Sequence, residues 1–191
     1  FMLATTILAA QDAKLLLEYS DMAAALSLEA IRGEVNAYDE RIHQARNHPG
    51  QIAIAEHVRK LFTGSKRMSR EVQEMDIGDY KVKKIAVGKR KGKKMERVQD
   101  QYSFRCYPQV AGSTYDALHF VFQVLEREMN ASTDNPLVFR CMEDGKEGMF
   151  ETRSGGNFHA EYIAPANAIL KVVGQYLPNM TNSCDYALTK K

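Results

Sequence analysis

Leu3, Leu8, Ala9, Leu15, Leu16, Leu17, Met22, Ala23 and Leu26 crowd the start of the chain with no Gly or Pro among them, a pattern that predicts one long, mostly buried helix. Ser27 is placed to cap a short second helix that Gly33 ends. From Asn36 to Gly50 the residues turn polar, with a brief helical stretch around Asp39 to Ala45, before a helix over Gln51 to Phe62. Periodicity is then lost from Thr63 to Arg97, where Gly64, Gly78, Gly88 and Gly92 are scattered among charges. Residues 64–97 read as an exposed basic loop within the domain; Tyr80-Lys81-Val82 and Ile85-Ala86-Val87 could pair as a marginal hairpin inside it. A strong helical repeat resumes at Pro108, carried by Val110, Tyr115, Leu118, Val121, Phe122, Leu125 and Met129, and stops at Ser132 to Pro136. Leu137-Val138-Phe139 and Met149-Phe150-Glu151 predict a small β-hairpin, and a last helix is expected from about Ala160 to Tyr176. The fold class is mainly α, long packed helices with one small β-hairpin.

Composition changes this picture little. With 191 residues and 45% apolar, the chain can bury one sizeable core and reads as a single partial domain, 1–191. Phe1 to Ala10 is already helix-forming, as if the chain began inside an element, so an internal piece of a longer protein is expected. That stretch has no basic leader and meets Gln11, Asp12 and Lys14 early, which argues against a signal peptide or membrane helix and favours the cytoplasm. Cys106, Cys141 and Cys184 are odd in number and far apart, as reduced thiols would be. Charge is uneven: Lys81 to Arg97 holds nine Lys or Arg against the single acid Glu96, leaving the remainder net acidic. A dedicated nucleic-acid binder would be basic throughout, so that local run is read as a solvated loop in preference to a polyanion site.

Gln99, Tyr102 and Arg105 follow at three-residue intervals. On a helical turn an amide, a phenol and a guanidinium would then share one side, whereas on a strand they would alternate. A guanidinium matches the two oxygens of a carboxylate, and a nearby phenol can exchange a proton, which suits a pocket for a free amino acid. The same residues also fit a plainer arrangement, with Arg105 paired to Asp100 and the Tyr102 ring in the core. Ser154-Gly155-Gly156-Asn157-Phe158-His159 combines paired glycines with an amide, an aromatic and an imidazole, either to bring polar groups against a ligand or simply as a turn with Asn157 capping the next helix. His43, His48, His57, His119 and His159 show no ligand spacing with Cys or carboxylates, and no phosphate loop or serine elbow is present, so neither metal nor nucleotide is expected.

Val98-Gln99-Asp100-Gln101-Tyr102-Ser103-Phe104-Arg105-Cys106-Tyr107-Pro108-Gln109-Val110 resembles the signature region of the aromatic amino acid ammonia-lyases. Ser132-Thr133-Asp134-Asn135-Pro136-Leu137-Val138 and then Ser154 to Glu161 follow in that family's order, and Leu26 to Ala30, Asp39 to His43 and His48 to Gln51 extend the likeness upstream. The resemblance implies the helical fold of those lyases, chains well over twice this long, and homotetramers whose sites draw on several subunits. The Cys106 context and His159 after Asn157-Phe158 resemble the histidine-specific branch, so the implied reaction is deamination of L-histidine to urocanate and ammonia; the phenylalanine or tyrosine branches, or a non-catalytic helical assembly or binding module derived from the family, are the alternatives. By motif position Tyr102 resembles a catalytic phenol, Arg105 the residue that holds the substrate carboxylate, Gln99 and Asn157 polar neighbours in the substrate pocket, and Phe158 the aromatic that shapes it. The family's electrophile is a methylidene-imidazolone cyclised from Ala-Ser-Gly. No such triplet occurs in these 191 residues, so this chain by itself is expected to be inactive. The chain departs from the family pattern at Gln101 and Tyr162, where Pro is usual, and at Tyr107, where the histidine enzymes have Gln.

Overall fold

The structure, a computed structural model, describes residues 1–65, 67, 89–90, 93–94, 100–141, 145, 148–155 and 161–175. Among these, α1 (Met2–Ile31), a 3-10 turn (Val35–Tyr38), α2 (Glu40–Arg46) and α3 (Pro49–Phe62) precede the two-residue strands β1 (Lys89–Arg90) and β2 (Lys93–Lys94). Then come α4 (Tyr102–Arg105), α5 (Tyr107–Met129), β3 (Leu137–Arg140) and β4 (Phe150–Arg153), and residues 163–175 are helical again. The chain is mainly helical with a small hairpin, as the residue pattern predicts. The expected Tyr80–Val82 and Ile85–Val87 pairing lies outside the described residues, as does most of the 64–97 segment; the short antiparallel ladder that is described joins Lys89 to Lys94 and Arg90 to Lys93.

The first helix differs from expectation in two ways. It is continuous through Ser27 to Ile31, so Ser27 caps nothing. Its end is a Schellman motif: Arg32 takes the left-handed conformation (φ 54°), Arg32 N–H donates to Glu29 O, and Gly33 N–H donates to Leu28 O. A Cβ on Gly33 would lie 2.7 Å from Leu28 Cδ2, so a larger residue there would push the end of the Leu28 side chain aside. The buried face is also not the predicted one. Thr6, Ala10, Ala13, Leu17, Asp21, Ala24 and Leu28, spaced by threes and fours, are buried, while Leu8, Leu15, Leu16, Met22 and Leu26 are exposed. The helix turns its small residues inward because close-packed neighbours approach best over Ala.

The chain clusters into two compact units. One comprises residues 1–13 and 117–173; its core includes Ala10, Leu118, Val121, Leu125, Ile163 and Ala166, and Thr6 Oγ1 donates to Asn167 Oδ1 at 2.9 Å. Its hairpin pairs β3 with β4 in the register Leu137–Arg153 through Arg140–Phe150, and Cys141 N–H adds one more bond to Met149 O. Gly145 and Gly148 in the connection take positive φ, which glycine adopts without steric cost.

The other unit comprises residues 14–116 and 174–191, with Leu17, Leu28, Tyr38, Ile54, Val58, Phe104 and Ala111 buried. Asp39 caps α2 by accepting from Arg41 N–H, and Asn47 ends it in the left-handed region. Pro49 opens α3 without a side-chain cap from His48. Asp116 on α5 takes that role, its Oδ1 accepting from Gly50 N–H at 2.8 Å. The two helices meet glycine on glycine: a Cβ on Gly50 would lie 2.2 Å from Gly112 O, and one on Gly112 2.4 Å from Gln51 N.

Candidate functional site

Two of the five residues singled out by the sequence are described. Tyr102 and Arg105 bracket α4, a single turn entered from extended backbone at Gln101 and closed by the Cys106 N–H donating to Tyr102 O. Three-residue spacing on one helical turn stacks their side chains, and the Arg105 guanidinium carbon sits 4.3 Å from the Tyr102 ring centroid. A cation over an aromatic face holds both groups in one orientation. Tyr102 is 72% exposed, which overturns the alternative that placed its ring in the core. Arg105 is half-buried, and its Nε is buried without a hydrogen-bond partner among the described residues. A buried donor without an acceptor is costly, and an anion at this turn would satisfy it. Gln99, Asn157 and Phe158 lie outside the described residues, as does His159.

This turn is held in place from three sides, all within the unit of residues 14–116. Before it, the Asp100 carboxylate accepts from Glu34 N–H, just past the end of α1. At its centre Phe104 is buried, and the Tyr38 hydroxyl donates to Phe104 O; Tyr38 is fixed in turn by edge packing on Phe62 and by Arg59 Nη1 donating to its carbonyl. After it, Tyr107 at the start of α5 places its hydroxyl 2.7 Å from Asp21 Oδ1 and 3.1 Å from Ser20 Oγ, both on α1.

Asp21 is the residue that the sequence reading missed. Only 2% of its side chain is exposed, and its second oxygen lies 2.6 Å from Nδ1 of His57 on α3. Burial pushes its carboxyl above the usual value, against the pull of the hydrogen bonds from Tyr107 and His57. Burial, and then the Asp21 charge, push the Tyr107 phenol well above its usual value. Asp21 falls four residues after Leu17 and three before Ala24, on the stripe that the structure turns inward, where a carboxylate survives only with partners; without knowing which face of α1 is buried, the sequence gives no sign of it. His43 is a second buried polar group, its Nδ1 2.9 Å from the Gln51 side-chain amide.

Among the described residues no group of three or more His, Cys, Asp or Glu is arranged to hold a metal ion, and no described helix is long and apolar enough to cross a membrane. The arrangement offers an exposed phenol stacked under a guanidinium with one buried donor that has no acceptor among the described residues. Those are groups for binding a small anion such as a carboxylate, and for handling a proton beside it.

The sequence profile of the aromatic amino acid lyases matches residues 1–186. The chain is 40% identical over 180 residues to histidine ammonia-lyase 2 of Fusobacterium nucleatum, covering 94% of this chain and 30% of that protein. Its fold is similar to the crystal structure of histidine ammonia-lyase from Trypanosoma cruzi, with a TM-score of 0.69 at 30% identity, over 96% of this chain and 28% of that one. It is similar also to tyrosine aminomutase from Streptomyces globisporus, with a TM-score of 0.73 at 28% identity, over 96% of this chain and 33% of the other. The chain therefore spans about 30% of the length of the curated relatives it matches.

Proposed function

The chain belongs to the aromatic amino acid lyase family, and from that premise we propose that the full-length protein carrying it is a homotetrameric histidine ammonia-lyase that converts L-histidine to urocanate and ammonia. The observation that carries this reading is the Arg105 guanidinium stacked at 4.3 Å over an exposed Tyr102 ring, at the motif positions where the family resemblance assigns carboxylate binding and a catalytic phenol. The curated relatives support histidine as the substrate, since those most similar carry the name histidine ammonia-lyase.

In this reading Arg105 donates to the substrate carboxylate, satisfying the Nε donor that has no acceptor among the described residues. Stacking on Tyr102 limits the guanidinium's rotation, so less entropy is lost when the carboxylate docks. The Tyr102 hydroxyl, exposed beside it, is placed to take or return a proton at the substrate's amino end. By motif position Gln99, Asn157 and Phe158 are proposed as further substrate-binding residues of the full-length protein. The methylidene-imidazolone supplies the electrophile that makes the amine a leaving group. The exposed Tyr102 hydroxyl is the group of these residues that would act beside it, and the 191 residues hold no Ala-Ser-Gly triplet to form it. The 191 residues alone are therefore proposed to be inactive.

Incubation of the full-length protein with L-histidine, L-phenylalanine and L-tyrosine in turn tests the reading. Ultraviolet absorbance of urocanate from histidine alone is the expected result. Cinnamate or coumarate would reassign the substrate to a sister branch, and no product from any of the three would favour the non-catalytic helical module.

A further inference from the structure

The Tyr102–Arg105 turn has three anchors, and they are not equivalent. Before the turn, the Asp100 carboxylate accepts from the distant Glu34 N–H, and within it the Phe104 carbonyl accepts from the Tyr38 hydroxyl. The anchor through Tyr107 is made by a side chain two residues after Arg105, and it reaches a carboxylate shared by two helices. Asp21 on α1 receives the Tyr107 hydroxyl on one oxygen and faces His57 of α3 with the other, so a single buried group ties the start of α5 to both helices. Burial makes this geometry stiff, because in a low-dielectric interior an unpaired carboxylate or phenol is costly and neither partner can let go cheaply. Between this anchor and the Phe104 anchor lie only Arg105 and Cys106. Where the guanidinium points is therefore decided by how firmly each end of that two-residue span is held.

We propose that Tyr107 is a positioning residue, its bond to the Asp21 carboxylate holding the α4–α5 junction so that Arg105 stays stacked on Tyr102 and ready for a carboxylate. The proposal deepens the lyase reading and rests on it for its kinetic consequence, though not for its structural one. Tyr107→Phe keeps the buried ring and removes only the hydroxyl. In the full-length protein it raises KM for the amino acid about tenfold, the loss expected for one hydrogen bond in alignment energy, while kcat stays within about twofold because the reacting groups are untouched. Asp21→Ala, which also loses the His57 contact, raises KM at least as much, and adding Tyr107→Phe to it makes KM no worse, since the link between the two is already cut.

Hydrogen–deuterium exchange of peptides covering residues 100–110 supplies a readout independent of turnover. In Tyr107→Phe, exchange of the Arg105 and Cys106 amides quickens while that of α2 is unchanged. Unchanged exchange at those amides in Tyr107→Phe overturns the proposal even if the enzyme is active, as do additive KM effects in the double variant. If the unsubstituted protein shows no lyase activity but Tyr107→Phe loosens the turn, the positioning link stands and the lyase reading alone falls. Should Asp21→Ala fail to fold, the KM and exchange results for Tyr107→Phe decide the matter by themselves.

Discussion

Arg105 is the residue on which the chemistry turns. Replacing it with Ala in the full-length protein removes a charge-assisted contact worth ~1.5–3 kcal/mol, so kcat/KM falls by about one to two orders of magnitude, read from steady-state kinetics on L-histidine. Unchanged kinetics would make Arg105 a structural residue. His43 governs a different property. Burial is the leading cause that lowers its pKa from 6.5, so below pH 6.5 the unfolded chain binds a proton that the folded chain resists. Stability is therefore complete above pH 6.5 and declines as the pH falls toward the depressed folded value. Urea unfolding of the chain between pH 8 and 5 should show this decline, and His43→Gln, which cannot titrate, should flatten it; an equal decline in the variant would place the acid sensitivity elsewhere. Asp21 has the opposite sign. Its carboxyl is raised above 3.8, so its contribution is full below that value and is lost as the pH rises through the folded one.

Among the elements, α1 shows how far a pattern can mislead. Its abundance of Leu and Met predicted a buried helix that gives way to a second one at Ser27; the helix instead runs unbroken to Ile31, and the stripe that is buried is the one rich in Ala. Leu28→Ala, at a position 1% exposed, should cost ~2–5 kcal/mol in chemical denaturation. Leu26→Gln, only two residues away and 67% exposed, should change stability by less than about 0.5 kcal/mol; a large loss there would show that face to be covered in solution. The α3–α5 crossing makes a sharper demand. Gly112→Ala drives a methyl against the backbone of Gln51 and should destabilise by at least ~1–3 kcal/mol, seen as a lower denaturation midpoint. A neutral result would mean that the helices separate there without cost. The hairpin, by contrast, follows from its residues almost as predicted, because β-branched and aromatic runs flank a polar connection with glycines at the positive-φ positions.

For the whole molecule, residue patterns alone determined a great deal. The helical class, the helices at Pro49–Phe62 and Tyr107–Met129 and the hairpin follow from periodicity and turn chemistry, while three-residue spacing left Tyr102 and Arg105 open between a shared side and a plainer packing. These are short-range matters, fixed by neighbours within a few positions. What needed the tertiary structure was every choice between equivalent faces and every long-range partner. Nothing local tells α1 to bury Ala24 and expose Leu26, since both faces are apolar and only the helices packed on it break the tie. Nothing local joins Asp21 to His57 and Tyr107, which stand 36 and 86 positions away. A buried carboxylate can announce from sequence that it needs partners, but which ones it finds is settled by which helices meet, and that depends on packing across the whole unit.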